Sequence, residues 1–180
     1  MQYHDRVYAS HEITEPVILE LMACSSMQRL KGVRQAGHYE AFVPGNNQTR
    51  FEHSVGVFIL LRRFGAPLEE QVAGLLHDVS HSAFSHAIDY VLDEGSPEDQ
   101  GHQDSIHDNF VKDSEIPSIL EKYDVDVEYI LDDSHFPLKE TDLPDLCADR
   151  IDYILRDGVT PGKIDSAKAQ GFLDSLKVID

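Results

Sequence analysis

His77 and Asp78 sit side by side at the end of the apolar run Val72-Ala73-Gly74-Leu75-Leu76. An imidazole and a carboxylate are costly to bury behind such a run unless they are paired or hold a metal. Both are good ligands for a divalent transition ion. Two further donors are His53, in Arg50-Phe51-Glu52-His53-Ser54, and Asp149, in Asp149-Arg150-Ile151-Asp152-Tyr153. His53, His77, Asp78 and Asp149 together make a ligand set for one divalent ion, with water completing its shell. The donor types admit Mn, Fe, Ni, Zn or Mg. Such an ion lowers the pKa of a bound water and neutralises phosphate charge, so hydrolysis at phosphorus is the chemistry to expect. The leaving group must then be protonated. His86 is the candidate general acid, with Asp89 one helical turn further on to orient it. His81 is placed to donate to a phosphate oxygen. Taken singly, His53 is an ordinary exposed helix histidine. The crowding of five of the ten histidines between His53 and His102 makes a site there the better reading.

The order His, His-Asp, Asp resembles the HD-domain superfamily of metal-dependent phosphohydrolases. The resemblance runs from about Gln28 to Asp157. The segments Phe42-Val43-Pro44-Gly45, Arg50 to Val57, Phe84-Ser85-His86 and Asp149 to Tyr153 with Arg156-Asp157 are similar to its deoxynucleoside triphosphate triphosphohydrolase branch. The resemblance implies an all-α fold, a compact helical bundle with at most a minor β-hairpin, and a single HD domain over 1–180. It implies that Gln35 reads the deoxyribose, that Tyr153 and Asp157 contact the sugar, and that Arg50, Arg150 and His102 complete the substrate site. It supports the roles given above to His81, His86 and Asp89, and it implies oligomers, for which a homodimer is the expectation. The chain departs from the family pattern at Ser80, Ala83 and Gln103, where Gly, Pro and Glu are common. The expected function is hydrolysis of a nucleotide, a deoxynucleoside triphosphate first. The alternatives are a nucleoside 5′-monophosphatase, a phosphodiesterase of the same superfamily, and a regulatory module that binds metal and nucleotide without turnover.

Composition agrees with a small-molecule substrate. Lys and Arg total 15 against 33 Asp and Glu, a formal charge of −18. That balance argues against nucleic acid as the main partner and against an anionic membrane surface. It also requires that a phosphate be attracted locally, by an ion and a few placed cations. Two scattered cysteines, Cys24 and Cys147, make no disulfide framework. With no signal-like N-terminus and no membrane-length apolar run, the expected location is the cytoplasm.

The elements that must position these residues are read mainly from helical periodicity. Residues 1–15 predict an arm or edge strand. Helices are predicted over Pro16–Met22, Ser25–Gln35, Thr49–Phe64, Leu68–Asp78 and Ala83–Leu92. Further helices follow over Gly101–Lys112, Pro117–Tyr123, Val127–Leu131, Asp142–Arg156 and Ala167–Val178. His38–Val43 alternates weakly and predicts a short strand or hairpin arm. Residues 93–99 read as an acidic loop. In the Asp142–Arg156 helix, Asp149, Tyr153, Arg156 and Asp157 share one stripe, which without the family pattern would read as a solvated face.

Overall fold

The structure, a computed structural model, describes residues 1–37, 39–83, 102–142 and 144–178. Helices dominate, as the periodicity requires. The described sheet has two antiparallel strands, β1 (Gln2–Asp5) and β2 (Ala9–Glu12), with Gln2 opposite Glu12 and Asp5 opposite Ala9. The Asp5 carboxylate closes the turn by accepting from the Val7 and Tyr8 amides.

The central helix is α3 (Arg50–Arg63). Thr49 and Glu52 form a reciprocal capping box at its start. Its sequence looks polar at the ends, yet every residue from Arg50 to Leu61 except Glu52 is buried. It packs along α4 (Leu68–Leu76) on one side and α8 (Ala148–Val159) on another. Two glycines permit this closeness. A Cβ on Gly74 would lie 2.2 Å from Leu61 Cδ1, and one on Gly56 would lie 2.0 Å from Asp152 Oδ1. Around this core stand α1 (Pro16–Ala23), α2 (Ser25–Gln28), α5 (His102–Lys112), α6 (Ile116–Lys122), α7 (Val127–Leu131) and α9 (Ser166–Ser175).

Three expected elements differ. The second helix leaves α geometry after Gln28, continues as a 3₁₀ turn over Arg29–Gly32, and is extended at Val33. There the backbone pairs with the start of α3 instead: Arg50 N donates to Val33 O, and Gln35 N to Gln48 O. The Tyr39–Ala41 stretch is a 3₁₀ turn rather than a strand. The helix expected from Asp142 begins at Ala148, because the preceding loop is tied elsewhere. Ala148 N and Asp149 N donate to Leu138 O and Lys139 O, and Arg150 reaches back to Thr141 O and Asp145 O. The expected helix over Ala83–Leu92 lies outside the described residues, as does the 93–99 loop.

Candidate metal centre

Two successive helices, α3 and α4, and the distant α8 bring the candidate ligands together. His53 comes from the first turns of α3. His77 is the C-cap of α4, and Asp78 follows it in a turn. Asp149 lies in the first turn of α8, where the helix dipole favours a carboxylate. The three groups meet closely. His53 Nε2 lies 2.8 Å from Asp149 Oδ1, His77 Nε2 lies 3.2 Å from the same oxygen, and the two Nε2 atoms are 3.1 Å apart. Among the described residues, His53, His77 and Asp149 can thus present one ligand atom each to a common ion.

The hydrogen bonds behind the rings decide which nitrogen faces inward. His53 Nδ1 donates to Asp152 Oδ2 at 2.7 Å, and His77 Nδ1 donates to the Gly74 carbonyl at 2.8 Å. A carbonyl or carboxylate can only accept, so each Nδ1 carries a proton, and a ring in its neutral form, as when it holds a metal, turns an Nε2 lone pair into the site. Two Nε2 atoms and a carboxylate oxygen converging at about 3 Å need positive charge among them, which a proton on His53 or a metal ion supplies. The donor set therefore fits a divalent metal ion.

Charge agrees. Burial disfavours the charged form of His53, but the Asp149 and Asp152 carboxylates outweigh it and raise its pKa to about 10. Burial would raise Asp149, yet His53 and His77 hold it well below the usual carboxylate range. In both cases the site attracts positive charge at this point. Asp78, also buried, is held low against desolvation by His77, Arg50 and His81. Its oxygens stand 3.6 Å from His77 Nε2 and 3.7 Å from His53 Nε2. They accept from Arg50 Nη1 at 2.5 Å and His81 Nε2 at 3.1 Å. The turn bearing Asp78 and His81 is clamped by Arg29, whose guanidinium donates to the Val79 and His81 carbonyls.

The ligand group opens into a cavity of about 380 Å³, within the range of small-molecule sites. Gln35, Arg50, His81 and Tyr153 line it beside the ligands. Arg150 turns away to the 141–145 loop, and Asp157 accepts from Gln48 Nε2 outside the cavity lining. His102 opens α5, with its side chain outside the described residues; His86 and Asp89 lie outside them too.

Several residues of the site carry no signal of their own in the sequence. Asp152 is fully buried and accepts from His53, Tyr8 Oη (2.7 Å) and Arg156 (Nε and Nη2, both 2.9 Å). Its spacing of four from Arg156 is the one clue the sequence offered. Arg156, expected on the site stripe, is instead wholly buried behind it, bridging Asp152 and Asp5. His107, Asp133, Lys139 and Glu140 line the cavity as well. His107 is held by a hydrogen bond from its Nε2 to the Leu76 carbonyl.

The HD domain family model matches residues 50–157. The chain belongs to the HD domain family. The match begins at Arg50 and ends at Asp157, so it spans all the ligands described above. YdhJ of Bacillus subtilis is 45% identical over 179 residues, which cover 99% of this chain and 54% of that protein. The metal-dependent phosphohydrolase cns2 of Cordyceps militaris is 41% identical over 96% of this chain and 49% of its own length. The chain thus spans about half the length of these curated relatives. A crystal structure of a phosphohydrolase from Bacteroides thetaiotaomicron superposes with a TM-score of 0.76 over 100% of this chain and 48% of that one. At 22% identity, that likeness speaks for the shared fold alone. No described helix is long and apolar enough to cross a membrane.

Proposed function

We propose that this HD domain is the catalytic part of a metal-dependent phosphohydrolase acting on a nucleotide, with deoxynucleoside triphosphates the first candidates. One observation carries the proposal: two Nε2 lone pairs and the Asp149 carboxylate converge at the floor of a cavity also lined by Arg50, Gln35 and Tyr153. The name of the Cordyceps relative supports the reaction class. A bound divalent ion would activate water and neutralise phosphate charge. His53, His77 and Asp149 would hold it, with Asp78 the fourth ligand. Arg50 fixes Asp78 and turns its fork toward the substrate phosphates. His81 Nε2, now on Asp78, is within reach of a phosphate oxygen. Gln35 and Tyr153 face the sugar. Arg150, Asp157 and His102 keep the substrate roles that the family resemblance implies. His86, oriented by Asp89, protonates the leaving group; both assignments rest on the sequence.

The test is product release from dNTPs, NTPs, nucleoside monophosphates and bis-p-nitrophenyl phosphate, each with Mg, Mn, Co and Ni. Triphosphate released from dNTPs supports the proposal in full. Orthophosphate from monophosphates keeps the metal centre and moves the substrate to nucleoside 5′-monophosphates. Turnover of the diester alone moves it to phosphodiesters. Silence across the panel with metal bound overturns the catalytic reading in favour of a binding module.

A further inference from the structure

The cavity wall also holds a cation that neither the metal chemistry nor the sugar contacts require. Lys139 is only 5% exposed, and its ammonium forms an ion pair with Asp133. A buried ammonium needs an anion beside it. The anion it has is poorly committed: the Asp133 side chain is 65% exposed, so it can swing into water at little cost. The backbone under Lys139 is the opposite. The buried Glu70 carboxylate of α4 accepts from Leu138 N at 2.7 Å and Lys139 N at 3.0 Å. Ala148 N and Asp149 N donate to the carbonyls of the same two residues at 2.8 and 3.3 Å. Lys139 is therefore tied by its main chain to a metal ligand, while its charged end is held by a partner that is easily exchanged. Arg50 and Lys139 are the Lys and Arg side chains among the described residues lining the cavity, in a chain of net charge −18.

We propose that Lys139 binds the phosphate tail of the substrate, taking a phosphate oxygen in exchange for the Asp133 carboxylate. The proposal rests on the reading of the cavity as a phosphate-substrate site and names the residue that recognises the anion there. A phosphate group displaces Asp133 because it brings more charge and more acceptor oxygens to the same ammonium. Asp133 then acts as a placeholder that keeps the buried ammonium paired between substrates.

The test is a calorimetric titration of the metal-loaded chain with inorganic triphosphate supplied as its magnesium complex, with metal content and melting temperature read on every variant. Lys139→Met should weaken binding by about tenfold or more, the usual cost of losing a charge-assisted hydrogen bond. Lys139→Arg should stay within about threefold, since the charge and donors are kept. Asp133→Asn should tighten binding severalfold, because it removes the competitor. A purely structural ion pair makes the opposite prediction, with both partners' variants weakening binding and stability together. That result overturns the proposal, as does unchanged binding by Lys139→Met or no triphosphate binding by the wild type. The titration needs no turnover. Binding that follows this pattern without hydrolysis sinks the catalytic reading alone, and hydrolysis indifferent to Lys139→Met sinks this proposal alone.

Discussion

The candidate metal-binding residues are the easier half of this site; what fixes His53 among them is Asp152. Its carboxylate accepts one hydrogen bond from His53 Nδ1, two from Arg156 and one from Tyr8, and is itself fully buried. Replacing it with Asn keeps the volume and one acceptor oxygen but removes the charge that holds the His53 tautomer. Metal affinity should fall by about 10–100-fold, the usual cost of losing a carboxylate behind a ligand histidine. Competition with a chelating dye checks it, and an unchanged affinity would show that His53 needs no partner. That His53, His77 and Asp149 come together was legible in the sequence, because metal chemistry favours His and Asp and because they fall in recognisable runs. Asp152 was not. Its Tyr8 partner is 144 residues away and comes from an arm that reads as mere edge. Lys139 was equally silent, since a loop lysine gains its position only through Glu70, 69 residues earlier.

At the level of elements, the site depends on how closely α3 approaches α8. Gly56 is the contact point: an added Cβ would meet Asp152 Oδ1 at 2.0 Å and Arg156 Nη2 at 2.2 Å. Alanine has the better helix propensity by about 1 kcal/mol. Overpacking against a hydrogen-bonded buried ion pair that cannot rotate away costs more, about 1–3 kcal/mol or above. Gly56→Ala should therefore destabilise the chain in urea denaturation; a gain in stability would mean that α8 shifts freely. A second junction joins α2 to α6. Glu115, at the start of α6, accepts from Ser25 Oγ at 2.6 Å and from Ser26 N and Oγ, both at 2.9 Å. Partial burial opposes its ionisation, but these donors lower its pKa from 4.5 to about 2. The folded state thus prefers the carboxylate. The stabilisation is fully present above pH 4.5 and is lost as pH falls toward 2. Because the group is partly exposed, it is worth about 1 kcal/mol after screening rather than the full shift. Glu115→Gln should remove that much at neutral pH and flatten the acid limb of the stability curve. Ser25–Gln35 failed as one helix for a different reason, at its other end. The sequence showed the periodicity of Met27, Leu30 and Arg34, but not that residues 33–35 would pair with the strand-like approach to α3.

For the whole molecule, the decisive fact is that His53, His77 and Asp149 belong to α3, α4 and α8. Periodicity showed these helices and their order; it did not show that they converge, which the close packing at Gly56 of α3 and Gly74 of α4 permits. An ion held by all three binds the folded chain far better than the unfolded one, where 96 residues separate His53 from Asp149. Metal then acts as a cross-link, and stability follows its free concentration. At a metal concentration about 100 times the dissociation constant the gain is about 2.7 kcal/mol. The net charge of −18 strengthens the effect, since three buried or half-buried carboxylates near the site, Asp78, Asp149 and Asp152, lose their mutual repulsion when a dication enters. A chelator should therefore lower the melting temperature of the wild type by several degrees, and added Mn or Mg should restore it. His77→Ala should melt at the same temperature with and without chelator. If the chelator leaves the wild type unmoved while the metal is shown to be gone, the three helices hold together without the ion, and His53, His77 and Asp149 are a preformed site rather than a metal-tied junction.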